Sequence, residues 1–120
     1  MEKKKLEELR LLTLGDSLDN SRDELLTLLY MQAEARLRDV ITHIQKYYNI
    51  QPDNDIPSNF QWIIDEATIK RFNRLGSEGF SSESINGHSV NFYSDDFADY
   101  REEIAGFYKP PDKGAKWVVY

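Results

Sequence analysis

Apolar residues recur along the first half of the chain at intervals of three and four, the period of an α-helix with one buried side. In residues 3–13 the run is short: Leu6, Leu9 and Leu12 share one side, and Gly15-Asp16 ends it. A longer stripe follows through Leu26, Leu29, Ala33, Leu37, Val40, Ile44 and Tyr47. Ser21 with Glu24 three positions on predicts a capping box at its start, and the helix runs to about Tyr48. Leu25, Leu28 and Ile41 widen the stripe, which predicts neighbours on more than one side.

Pro52, Pro57 and the polar run between them predict a loop. Ser58 and Gln61 form a second capping-box pattern. The third helix then places Phe60, Ile63, Ile64, Ala67 and Leu75 on a core face, with Trp62, Ile69 and Phe72 elsewhere around it. Gly76 is expected as its left-handed C-cap. Asn86-Gly87 is the preferred pair for a two-residue type I′ turn, so residues of about 80–93 read as a β-hairpin. Pairing outward sets Ile85 opposite His88, Glu83 opposite Val90 and Ser81 opposite Phe92, which gives an apolar face of Ile85, Val90 and Phe92. A lone two-stranded hairpin is marginal in water, so this one needs support from its own helices or from another chain. Ser94-Asp95-Asp96 predicts the N-cap and acidic first turn of a fourth helix, with Phe97, Tyr100, Ile104 and Phe107 on its buried face and Lys109-Pro110-Pro111 as its stop.

The pattern predicts a mainly α fold, a small bundle of about four helices with one β-hairpin between the third and fourth. At 120 residues the chain has the length of one domain, placed at residues 1–108, with 109–120 as a C-terminal tail. That tail ends in Trp117-Val118-Val119-Tyr120, an apolar, β-prone group that docks either on its own core or as a strand on a partner.

Charge narrows the function. The net charge is −6, whereas tight binding to duplex DNA requires cations to replace condensed counterions. Between residues 78 and 103 seven carboxylates face the single Arg101, while cations gather at Lys70-Arg71-Arg74 and at Lys109, Lys113 and Lys116. Without cysteine there is no disulfide framework and no thiolate metal site. No stretch approaches the roughly 18 uninterrupted apolar residues of a membrane span, and the charged start MEKKKLEELRLL is no secretory signal.

Candidate chemistry is thin. Asp95, Asp96 and Asp99 have the clustered carboxylates that a divalent cation wants, but helix capping accounts for them. His43 follows the long stripe and reads as a partly buried packing residue; His88 flanks the turn, and neither has a metal-ligand or general-base partner nearby in sequence. Gly76-Ser77-Glu78-Gly79 lacks the Gly-Lys-Ser/Thr ending of a phosphate loop, and Ser81, Ser82 and Ser84 have no elbow motif. No enzyme, cofactor or metal is expected. Lys70, Arg71 and Arg74 read as a solvated face pairing with Asp65 or Glu66, or as a contact for an acidic neighbour or for DNA.

Arg71-Phe72-Asn73-Arg74-Leu75-Gly76-Ser77-Glu78-Gly79-Phe80-Ser81-Ser82-Glu83-Ser84, followed by Gly87, is far more particular than helical periodicity. With Asn54-Asp55-Ile56-Pro57 before the third helix, and the helix order over residues 15–108, it resembles the head–tail connector (adaptor, or DNA-packaging) proteins of long-tailed bacteriophages. The resemblance implies a structural subunit of the virion neck, assembled in the bacterial host cytoplasm. It would form a ring, twelve-fold in the family, beneath the portal protein. The ring extends the DNA channel, touches packaged DNA only transiently, and offers a platform to a stopper or tail-completion protein. The interface residues expected on this reading are Arg71, Arg74, Glu78, Phe80, Ile85, Val90, Phe92 and Trp117–Tyr120. Another neck or tail-completion component, or a small DNA-binding regulator using Lys70, Arg71 and Arg74, are the alternatives.

Overall fold

The computed structural model describes residues 1–77 and 97–110. Among them are four α-helices, α1 (Lys3–Leu14), α2 (Asp23–Tyr47), α3 (Gln61–Ser77) and α4 (Ala98–Tyr108), with a single 3-10 turn at Ser58–Phe60 leading into α3. The mainly helical class is as expected. The hairpin expected at residues 80–93 lies outside the described residues, as does the tail segment 111–120.

The spine is the pair α2 and α3, packed antiparallel. The two core clusters establish that direction. One joins Leu25, Leu26 and Leu29 at the start of α2 to Phe72 and Leu75 near the end of α3, with Leu9 of α1. The other joins Ala33, Leu37, Val40, Ile41 and Ile44 to Phe60, Ile63, Ile64 and Ala67, with Phe97, Tyr100 and Ile104 from the α4 segment. Thus α1 covers one end of the seam and α4 the other. The stripe read from the sequence is therefore buried by two different partners, and Leu25 and Ile41 join it in the core.

Two helix ends are closed by left-handed residues. Gly15, at φ 76°, stops α1, and its amide donates to the Leu11 carbonyl at 3.0 Å. Asn49, at φ 61°, stops α2. Its amide donates to Lys46 O at 3.1 Å and that of Ile50 to Gln45 O at 2.7 Å, the paired bonds of a Schellman ending. The following loop is held back on α2 by Arg38 Nε, which donates to Asn54 O at 3.1 Å.

Several local expectations are corrected. Neither capping box forms. The Ser21 hydroxyl donates to Asp19 Oδ1 at 2.6 Å, a nearer acceptor, and α2 begins after Arg22 without a side-chain cap. Ser58 sits inside the 3-10 turn, where the Phe60 amide donates to Pro57 O at 2.9 Å. Gly76 does not end α3, which continues to Ser77; packing of Phe72 and Leu75 outweighs the modest helix cost of one glycine. The N-cap position of α4 is Phe97, later than Ser94, which lies with Asp95 and Asp96 outside the described residues. Leu12, Tyr47 and Phe107, expected in the core, are exposed. Leu12 is turned away from α2 and α3. Tyr47 and Phe107 sit in the last turns of their helices, where their neighbours cover only part of each ring.

Two polar ties fasten α1 to its neighbours. Lys5 of α1 meets Asp65 of α3 at 2.7 Å. Arg10 grips both Asp23 oxygens, at 2.9 and 2.6 Å, and donates to Ser17 O at 3.0 Å. That geometry is bidentate, so it fixes the angle at which α1 turns into α2.

Two glycines give opposite expectations. Gly106 is helical with open space around its missing Cβ, so Gly106→Ala should stabilise the fold by about 0.5–1 kcal/mol. Gly15→Ala forces a Cβ into the left-handed region and should destabilise by roughly 1–2 kcal/mol. Urea denaturation of the two variants reads both signs, and a stabilised Gly15→Ala would contradict the cap geometry.

Candidate assembly surface

Of the interface residues expected from the sequence, Arg71 and Arg74 alone lie among the described residues. Glu78, Phe80, Ile85, Val90, Phe92 and Trp117–Tyr120 do not. Arg71 is 4% exposed and Arg74 half-buried, so the cluster presents no common cationic face. The solvated face is corrected accordingly: Arg71 is buried and Arg74 partly so, and only Lys70 of the three stands well into solvent. The hollow among Ala67, Lys70, Arg71 and Arg74 holds about 10 Å³, roughly one water and too little for a phosphate group.

Lys70, the exposed member, joins a clamp between α3 and α4. It pairs with Glu66 at 3.3 Å, as the spacing predicts, while Asp65 goes to Lys5 instead. Tyr100 of α4 donates its hydroxyl to Glu66 Oε1 at 2.7 Å. The Lys70 ammonium lies 5.1 Å from the Tyr100 ring centre, and Trp62 meets the same ring edge-on at 5.7 Å. The Tyr100 hydrogen bond, then Lys70, holds the Glu66 carboxyl below its ordinary range, while burial pushes the Tyr100 hydroxyl above its own. Each polar group thus prefers the protonation state that keeps α4 seated.

The seating of α4 leaves an open groove between it and the second half of α2. His43, Ile44, Tyr47 and Tyr48 form one wall, and Ala98, Arg101, Glu102 and Ala105 the other, around about 420 Å³. The walls are mostly apolar because α4 presents alanines there, and short side chains cannot fill the gap to α2. His43 and Arg101 continue the groove into a second hollow of about 250 Å³ floored by Val40 and edged by Arg36 and Asp39. His43 is exposed on a groove wall, where a partly buried packing residue was expected. Nearby, Tyr47 meets Tyr48 at 5.0 Å, and Phe107 meets Phe60 at 5.1 Å and Tyr108 at 4.9 Å, all edge-on. Five aromatic rings thus gather at this end of the bundle, and Tyr47 is 77% exposed.

The opposite end also shows apolar side chains to solvent: Leu11 and Leu12 on α1, Leu18 in the turn, and Met31 on α2. Exposed aromatic, Met and Arg side chains are the residue types that interface cores favour. This groove was missed in the sequence reading. Its one legible signal is that the stripe of α2 extends to Tyr47 while α4 carries the small residues Ala98 and Ala105 beside its core face. Among the described residues no group of three or more His, Asp or Glu could hold a metal ion, and no helix is long and apolar enough to cross a membrane.

Comparison with known proteins yields one positive result. The family model described as phage gp6-like head-tail connector protein matches residues 4–107, from the second residue of α1 to the last but one of α4. No curated protein matches, and no solved structure does.

The clamp predicts an acid response. Because Glu66 ionises below the ordinary glutamate value of 4.5, its contribution is complete above that pH and is lost as pH falls through the lower, folded value. Urea midpoints of the wild type should therefore drop faster than those of Glu66→Gln as pH is taken from about 5 towards about 3. Parallel curves would show that the carboxylate does not seat α4.

Proposed function

Since the chain belongs to the phage gp6-like head-tail connector family, matched over residues 4–107, it is a structural protein of the head–tail junction, and we propose that it acts there as a ring beneath the portal protein. The subunits stand side by side, twelve to a ring, continuing the DNA channel and presenting a platform to the stopper or tail-completion protein. The protein is not an enzyme on this reading and requires no cofactor. The observation that carries it is the family match, and the exposed apolar surface supports it: both ends of the bundle carry apolar side chains that a solitary subunit leaves in water.

The acidic character of the chain, −6 overall, suits a conduit that must let DNA pass without holding it. The buried Arg71 and half-buried Arg74 weigh against the DNA-binding regulator, because one half-exposed lysine in that cluster, already paired with Glu66, neutralises little. The segment of about 80–93, read from sequence as a hairpin, contributes Ile85, Val90 and Phe92 to the contact between neighbours. Glu78 and Phe80 lead into it.

Mixing purified protein with isolated portal rings tests the proposal, with particle images and native mass as readouts. The expected result is a second ring of about twelve copies stacked on the portal. Failure to add mass to the portal under conditions where the portal itself is intact would overturn it. Duplex DNA titrated separately should bind no better than the ~10⁻⁴–10⁻⁶ M typical of non-specific contacts at physiological salt.

A further inference from the structure

We propose that the groove between α2 and α4 is the docking site for the Trp117–Tyr120 segment of the same copy. The groove offers what such a segment needs. Its volume, about 420 Å³ with a further 250 Å³ beyond His43 and Arg101, falls in the range of sites that enclose a few large side chains. Its walls pair apolar surface from Ile44, Tyr47 and Ala105 with the Glu102 carboxylate and the Arg101 guanidinium, a planar cation suited to stacking on an indole or phenol ring. At the inner end Arg36 Nε is buried without a hydrogen-bond partner. A backbone carbonyl of an extended segment is the kind of acceptor that donor lacks.

Connectivity and charge select the occupant. Ala105 lines the groove, and α4 ends three residues later at Tyr108. Residues 109–116 span at most about 26 Å when extended, while α4 is only about 16 Å long. The segment can therefore turn back along the whole of α4. So short a tether sets an effective concentration in the millimolar range, which favours the chain's own segment over that of a second copy. α4 carries Asp99, Glu102 and Glu103 against Arg101, with Glu102 and Arg101 on the groove itself, whereas residues 109–120 carry Lys109, Lys113 and Lys116 against Asp112. A basic strand returning along an acidic helix is attracted to it, and the attraction is strongest at low salt.

Trp117 reports on its own position. In a Trp62→Phe background it is the sole indole, since the chain has two tryptophans. Its fluorescence should be blue-shifted and quenched by acrylamide several-fold more slowly than free indole, to the same extent at all protein concentrations. Tyr47→Asp combined with Ala98→Arg, both at exposed positions, should raise quenching close to the free value while circular dichroism confirms intact helices. An indole as accessible as the free compound would overturn the proposal. So would shielding that disappears on dilution, which marks a second copy, or shielding unaffected by the double variant, which places the segment elsewhere. No portal enters the measurement, so failure here leaves the connector reading standing, and the reverse.

Discussion

Everything in this molecule hangs on the antiparallel seam between α2 and α3. A 25-residue helix is about 37 Å long, and one neighbour of 17 residues cannot cover it. The seam therefore divides into two hydrophobic clusters, each needing a third element, and α1 and α4 are those elements. Burial of Leu26, Leu29, Leu37, Ile63, Ile64 and Ile104, none of them measurably exposed, supplies the main cohesive term. The polar ties then decide orientation. Arg10 with Asp23 sets α1, Lys5 with Asp65 holds it against α3, and Glu66 with Tyr100 and Lys70 seats α4.

This division of labour explains where surface remains available. Short helices that cap a long seam leave its extremities uncovered, so apolar residues in the last turns face water. Tyr47 and Phe107 occupy such positions at one end, and Leu11, Leu12 and Met31 lie at the other. A single copy cannot bring the two ends together, because α2 holds them apart as a rigid rod. Contacts between different patches on neighbouring copies are heterologous, and heterologous contacts close into rings when the rotation between copies allows. The architecture of the subunit and the ring proposed for the family are thus mutually consistent. The groove beside α4 has the same origin: alanines at 98 and 105 keep that helix slim where it leans on α2.

Helix periods and core composition were legible in the sequence. The stripe from Leu26 to Ile44, the core face of α3 and the roles of Tyr100 and Ile104 follow from spacing alone, because spacing of three and four leaves little choice of buried side. Gly15 as a helix stop was legible too, since a left-handed residue there carries almost no cost only for glycine. The resemblance carried by residues 71–87, read without any structure, pointed to the same family that the profile over residues 4–107 identifies.

What spacing cannot reveal is competition and reach. Ser21 and Ser58 carry capping patterns, yet a nearer aspartate and a preceding proline turn claimed them. Gly76 had the look of a terminator, and packing on either side carried the helix through it. Arg71, charged and adjacent to two other cations, is buried all the same, which periodicity and charge do not foretell. The groove and its aromatic rim exist through the angle at which α4 crosses α2. The chain alone determined which residues are greasy and with what period; the tertiary structure decided how far each partner extends along the seam, and so which of those residues stay in water.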